Sequence, residues 1–408
     1  MARALGEWIQ NRENFPPEVS FNGSALLSER AIYTGFCRQG STTVGGAGRL
    51  LPLLDGSLAA VSCARVDDPL LYSAALGTPV MPTDPWPALT LGMSQATSSD
   101  VQRMALELSL PCWPVDQSEP PASLPRQAIW PTRQPRDFAG LRVIDFSSLW
   151  AGPLCAHILG LLGAEVIKVE STERPDGARY GNKKFYSLLH SGHKAVSFTP
   201  SDPSSLAALH DLVASADIII EASRPRALMR LGIDAEAHIA TGATWVSITA
   251  AGRTSSRIGF GDDVAASAGL IARDHDGSPC FVGDAIADPL AGLFAAASCM
   301  TVPGNTVSAM EETTKGSAEG SDQGTNNRRR RGELWDISMY NIVRHTLWGF
   351  DAADRLSPSP GLETATPPTA RVLPQYSAPH ALGEDNARFL SSPHLNRRVG
   401  TDLKRSQC

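Results

Sequence analysis

The chain has 408 residues, 42% hydrophobic and 19% charged, with a formal net charge of −6. That length can bury a large core and points to two domains, and the acidic balance argues against general nucleic-acid binding. The seven cysteines include no CxxC pair, which suits free thiols in the reducing cytoplasm. No apolar run reaches membrane-spanning length, and Met1–Pro17 lacks the pattern of a signal segment.

In chain order, residues 1–125 read as a smaller α+β region. Within it, Ser41–Ala64 reads as a β-hairpin: a glycine-rich approach at Gly45, Gly46 and Gly48, two apolar runs, and Asp55–Gly56 as the turn. The proline-rich stretch Gln117–Arg136 contains a domain linker, placed at 126–137. From Phe138 the pattern becomes regular. Leu141–Phe146 is β-branched and apolar, Ala151–Leu162 is apolar nearly all round, and Glu165–Glu170 returns to strand character. Ser147 and Ser148 are placed to cap the intervening helix, with Gly152 and Pro153 in its first turn and Gly163 at its end. A strand, a helix and a strand in about 30 residues make a βαβ unit. Strands at Asp217–Glu221 and Thr244–Gly252, and a short one in KAVSF, extend it to an α/β, Rossmann-like, doubly wound parallel sheet over 138–302. Residues 303–332 read as a disordered insert ending in Arg328–Arg331, and 333–408 as a strand, a helix and a loosely structured tail.

Familiar signatures are absent: no GxGxxG after the first strand, no phosphate loop, no HExxH and no GxSxG. His190 and His193 form HxxH without the further ligands a zinc site requires, so a structural or ligand-contacting role fits them better than a metal. Asp288 precedes Pro289 at the start of an apolar helix. A plain helix cap explains it. The local sequence favours that reading, though the same geometry also allows a carboxylate kept ionised by the helix N-terminus and able to attack a carbonyl.

GLRVIDFSSLWAGPLCAHILGLLGAEVIKVE, SGHKAVSF, DIIIEASRPRALMRLGID and GDAIADPLAGLFAA follow one another over Phe138–Met300. Together they resemble the successive motifs of the class III CoA-transferases, a family that includes α-methylacyl-CoA racemase. GELWDISMYNIV and SAPHALGEDNARFL resemble its later segments. GGAGRLLPLLDGSLAAVSCARVDD resembles a region that family members carry after the catalytic aspartate. Here it comes before, so the order looks permuted. The resemblance makes Asp288, in Asp288-Pro-Leu-Ala-Gly292, the catalytic aspartate, with Asp284 as the fallback. It implies CoA contacts at Leu149, Trp150, His193, Lys194, Arg230 and Leu231. It also gives Gly45, Gly46 and Gly48 the place of the family's glycine loop, which otherwise reads as an ordinary turn. The family's Asn-Phe pair is Ala222-Ser223 here, and an adenine-flanking arginine is replaced near Thr172.

The activity implied is CoA transfer from an acyl-CoA to a carboxylic acid through an aspartyl intermediate, in a homodimer. Coenzyme A enters as substrate, and neither a resident cofactor nor a metal nor a membrane is involved. Two alternatives stand beside it. A racemase would need a His-Asp pair where this chain has Gly261-Asp262. A non-catalytic CoA-binding protein would form no covalent adduct.

Overall fold

The computed structural model describes residues 1–12, 15–17, 19, 22–118, 133–222, 226–303, 332–348 and 377–390. Most of the proline-rich linker, the insert with its four arginines, Ser223 and most of the C-terminal tail lie outside the described residues.

Helices α1 (Ala2–Gln10) and α2 (Glu29–Thr34) precede a three-stranded antiparallel sheet of β1 (Gly48–Pro52), β2 (Leu58–Ser62) and β3 (Cys112–Pro114). The expected hairpin is present: Pro52 pairs with Leu58, and Gly56 turns the chain at φ +79°, a conformation open to glycine without strain. Between β2 and β3 run α3 (Asp68–Leu76), α4 (Trp86–Ser94) and α5 (Ser98–Leu108). Their buried Tyr72, Leu89, Met93 and Val101 close a core over Leu51, Ala59 and Val61. The smaller region therefore has its own apolar centre.

The larger sheet is parallel throughout. Its strands are β5 (Arg142–Asp145), β6 (Glu165–Ser171), β7 (Lys194–Phe198), β8 (Ile218–Glu221), β9 (Thr244–Thr249) and β13 (Glu333–Ser338), in the order β13-β9-β8-β5-β6-β7. Counted in chain order this is 3-2-1-4-5-6, with the reversal between β5 and β8, where sheets of this kind hold ligands beyond their carboxyl ends. Alternate residues of each strand face opposite layers. Val143, Val166, Ile218 and Val246 meet α6 (Ala151–Leu161), α12 (Ala287–Cys299) and α13 (Met339–Thr346). Ile144, Ile167, Ile219 and Trp245 meet α8 (Pro203–Ala214), α9 (Arg226–Arg230) and α10 (Ala235–Ala240) on the other side. Burying each such side chain contributes about 1.5–3 kcal/mol.

Helix α6 is apolar all round because it lies between the sheet and α12, with Ala151 to Leu159 buried. The two helices approach closely at Gly292, where an added Cβ would sit 2.6 Å from the Ala151 carbonyl oxygen. Gly163 ends this segment at φ +105°, as expected. The expected serine cap is absent. Trp150 takes the N-cap place without a side-chain bond, and Ser147 instead donates its N–H to Asp145 Oδ1 at 2.8 Å. Its hydroxyl also donates to that buried carboxylate at the end of β5 and makes no cap bond to α6.

The outer edge of β7 is covered by the segment 377–390. Asp385 Oδ2 and Asn386 Oδ1 accept the N–H groups of Ala195 and Ser197, each at 2.8 Å. Polar side chains thus close an edge open to strand pairing. Two short antiparallel pairs were not expected. One joins β4 (Arg133–Pro135) to β12 (Thr301–Pro303), the other β10 (Ile271–Arg273) to β11 (Pro279–Phe281). Helix α11 (Gly261–Ser267) links the two regions: Ala266 packs with Leu50, Ala60 and Val115 of the smaller one.

Candidate active site

The turn Gly283–Ile286 leads into α12, whose first helical residue is Ala287. Asp288 is therefore in the first turn and is not the N-cap. That place belongs to Ile286, with no side-chain cap bond. The cap reading of Asp288 is thereby corrected: the residue lies two positions past the N-cap. Its half-buried carboxyl faces α11, where the Gly261 N–H donates to it.

Three more groups converge there. Asp262 Oδ1 accepts the Ala285 N–H at 2.6 Å and so braces the turn. Asp284, 4% exposed, is held by the Arg30 guanidinium of α2 in a two-pronged contact, with Nε 2.7 Å from Oδ2. Arg30 also lies over the buried Trp150 indole, 5.1 Å from its ring centre. Burial pushes the Asp288 carboxyl up to about 7, with Arg30 opposing and the charges of Asp262 and Asp284 adding. Burial likewise raises Asp262 to about 6 and Asp263 to about 8. Unfolded, these groups titrate at about 3.9. Their neutral forms therefore stabilise the fold fully below about pH 4, and that contribution is lost as pH rises through about 6, 7 and 8.

Gly261 allows the carboxylate to come so near. A Cβ there would lie 2.4 Å from both Asp288 Oδ2 and the Ala285 carbonyl oxygen. Gly261→Ala is expected to cost about 1–3 kcal/mol by overpacking, read as a lower urea midpoint. An unchanged midpoint would mean that the turn yields freely.

The loop after β5 is fixed from below. Lys168, 1% exposed, donates to the Ser147 carbonyl at 2.8 Å and pairs with Asp176 Oδ2 at 3.0 Å. Asp176 accepts the Leu149 N–H at 3.1 Å, and Leu149 takes φ +69°, unusual for a branched residue. Its side chain is 45% exposed, whereas Trp150 is packed edge-on against Phe185 at 5.1 Å.

The other expected contacts are dispersed. His193 is buried beside Gly160, about 15 Å along α6 from Trp150 at the helical rise. Its Nδ1 is 3.3 Å from His190 Nδ1, and burial lowers it to about 3, so the ring is neutral. Lys194 opens β7. Arg230 is exposed at the end of α9, and the Leu231 carbonyl accepts from His210 at 2.6 Å. Gly45, Gly46 and Gly48 form a tight turn in which Gly48 N–H donates to Thr43 Oγ1 at 2.9 Å and Gly46 takes φ +78°.

Residues 138–306 match the family described as CoA-transferase family III. The family III segment resembles the succinyl-CoA:glutarate CoA-transferase of Mus musculus, 32% identical over 175 residues, covering 40% of this chain and 40% of that one. It also resembles the succinyl-CoA–D-citramalate CoA-transferase of Chloroflexus aurantiacus, at 30% identity over 40% of this chain and 44% of the other. A crystal structure of a CAIB/BAIF family protein from Brucella suis aligns over 52% of this chain and 56% of its own, with a TM-score of 0.41 and 24% identity. The chain thus matches 40% to 44% of the length of these two curated relatives.

The family III segment supplies Asp288, Asp284, Asp262 and Gly261, while Arg30 enters from outside it. Sequence reasoning missed Arg30. Nothing in SERAIY distinguishes it from a solvated helix residue. Asp262 had a signal, as the first of two acids opening a short helix just past a glycine.

Proposed function

We propose that this protein transfers CoA from an acyl-CoA donor to a carboxylic acid, with Asp288 as nucleophile. The observation carrying this reading is the Asp288 carboxyl in the first turn of α12, about one turn before Gly292 meets the start of α6, within the family III segment. Its oxygen attacks the thioester carbonyl, the C–S bond breaks, and CoA leaves as thiolate from a mixed anhydride. The thiolate then attacks the Asp288 carboxyl carbon and releases the donor acid, leaving an aspartyl-CoA thioester. The acceptor carboxylate attacks that carbon, forming a second anhydride, and the thiolate takes the acceptor acyl group and frees Asp288. Only the ionised carboxylate attacks, so kcat/KM should rise with pH through about 7, where Asp288 titrates. A flat profile between pH 5.5 and 8.5 would contradict this.

Leu149, exposed on a braced loop before the α6 N-terminus, is proposed to contact CoA there, where a helix favours anionic groups. Racemisation is disfavoured because Gly261 has no room for the histidine it would need. The deciding experiment incubates the protein with succinyl-CoA and maps any covalent CoA adduct by mass. An adduct on Asp288 supports the proposal. No adduct supports a non-catalytic CoA-binding role. A homodimer is also proposed, and sedimentation at micromolar concentration showing monomer alone would remove it.

A further inference from the structure

We infer that Arg30 of α2 is a positioning residue that keeps Asp288 ionised and orders the turn in front of it. Its guanidinium is the cation set against the three carboxylates of the site: Asp284 from the turn, Asp262 from α11 and Asp288 from α12. The contact with Asp284 is two-pronged and so fixes orientation as well as charge. The Trp150 ring under Arg30 fixes the other side of the fork, tying α2 to the start of α6. Three acids sharing so little space, Asp284 buried and the other two half-buried, would otherwise repel one another into protonation. Arg30 lies outside the family III segment, so the N-terminal part of the chain completes the electrostatics of the site.

The consequence for catalysis rests on Asp288 being the nucleophile, but the ionisation is measurable without turnover. Protein labelled with 13C at the aspartate carboxyls would be titrated by NMR, with the Asp288 signal assigned from its loss in Asp288→Asn. Arg30→Gln should raise the Asp288 midpoint by about one unit, a roughly tenfold loss of carboxylate below the midpoint. Arg30→Lys should restore part of the shift. Asp284→Asn should move the midpoint down, since it removes a like charge. If Arg30→Gln alone does not fold, Arg30→Gln added to Asp284→Asn removes both partners, and its midpoint should lie above that of Asp284→Asn. A midpoint unmoved or lowered by the loss of Arg30 overturns the inference. A missing CoA adduct alongside a shifted midpoint would overturn the proposed chemistry and leave the role of Arg30 standing.

Discussion

Asp288→Asn is expected to lower CoA transfer by about four orders of magnitude or more, the scale seen when a nucleophile is removed, while the fold survives. An amide cannot form the anhydride, yet it can accept the Gly261 N–H where the carboxyl did. Because Asp288 does not cap α12, no cap is lost. Burial pushes the carboxyl up to about 7 when folded, so above pH 8 the wild type carries a partly desolvated charge that the amide lacks. Asp288→Asn should then match or exceed wild-type stability at pH 8.5, and lose that margin at pH 5. Asp284→Asn breaks the pair with Arg30 and should cost stability, but it keeps the nucleophile and should lose far less turnover. Melting temperatures and initial rates for both variants decide the matter. Full activity in Asp288→Asn would end the proposal.

Lys168→Met is expected to destabilise the fold by about 3–5 kcal/mol. The methionine fills the space but leaves Asp145 and Asp176, both at most 2% exposed, without their cation. The Ser147 carbonyl loses its donor as well. Adding Asp176→Asn should recover part of the loss, since removing both partners of a buried pair is far cheaper than removing one. Urea denaturation of the two proteins at pH 7 tests this. A loss under about 1 kcal/mol for Lys168→Met would show that the network is solvated.

The parallel sheet was legible because its strands are buried on both faces and so read as unbroken apolar runs. Leu141–Phe146 and Glu165–Glu170 come out as adjacent parallel strands, with Arg142 opposite Glu165. DIIIE and TWVSIT likewise fall on β8 and β9. The short pairs β4–β12 and β10–β11 escaped because three residues are too few to carry a period. At the site, Asp288 stood out through its motif, with Asp284 just before it and Gly261-Asp262 earlier in the same segment, while Arg30 did not. Arg30 acts through tertiary placement, which leaves no local pattern. Lys168 did carry a signal, a lone cation inside a strand otherwise fit for burial, and its partners arrive from other elements. The Asp288–Pro289 pair misled by two positions because proline is tolerated throughout the first helical turn.

The contact between Arg30 and Asp284 joins residues 254 apart in the chain. At ribosomal speeds of about 5–20 residues per second, the arginine waits roughly 10–50 s for its acid to be made. The smaller region, with its own apolar centre, can close during that interval. Its face toward α11 stays bare until residue 261 has emerged. During synthesis, then, the basic half of the site exists before the acidic half, and the nascent chain holds an incomplete charge pattern that only the later βα units neutralise.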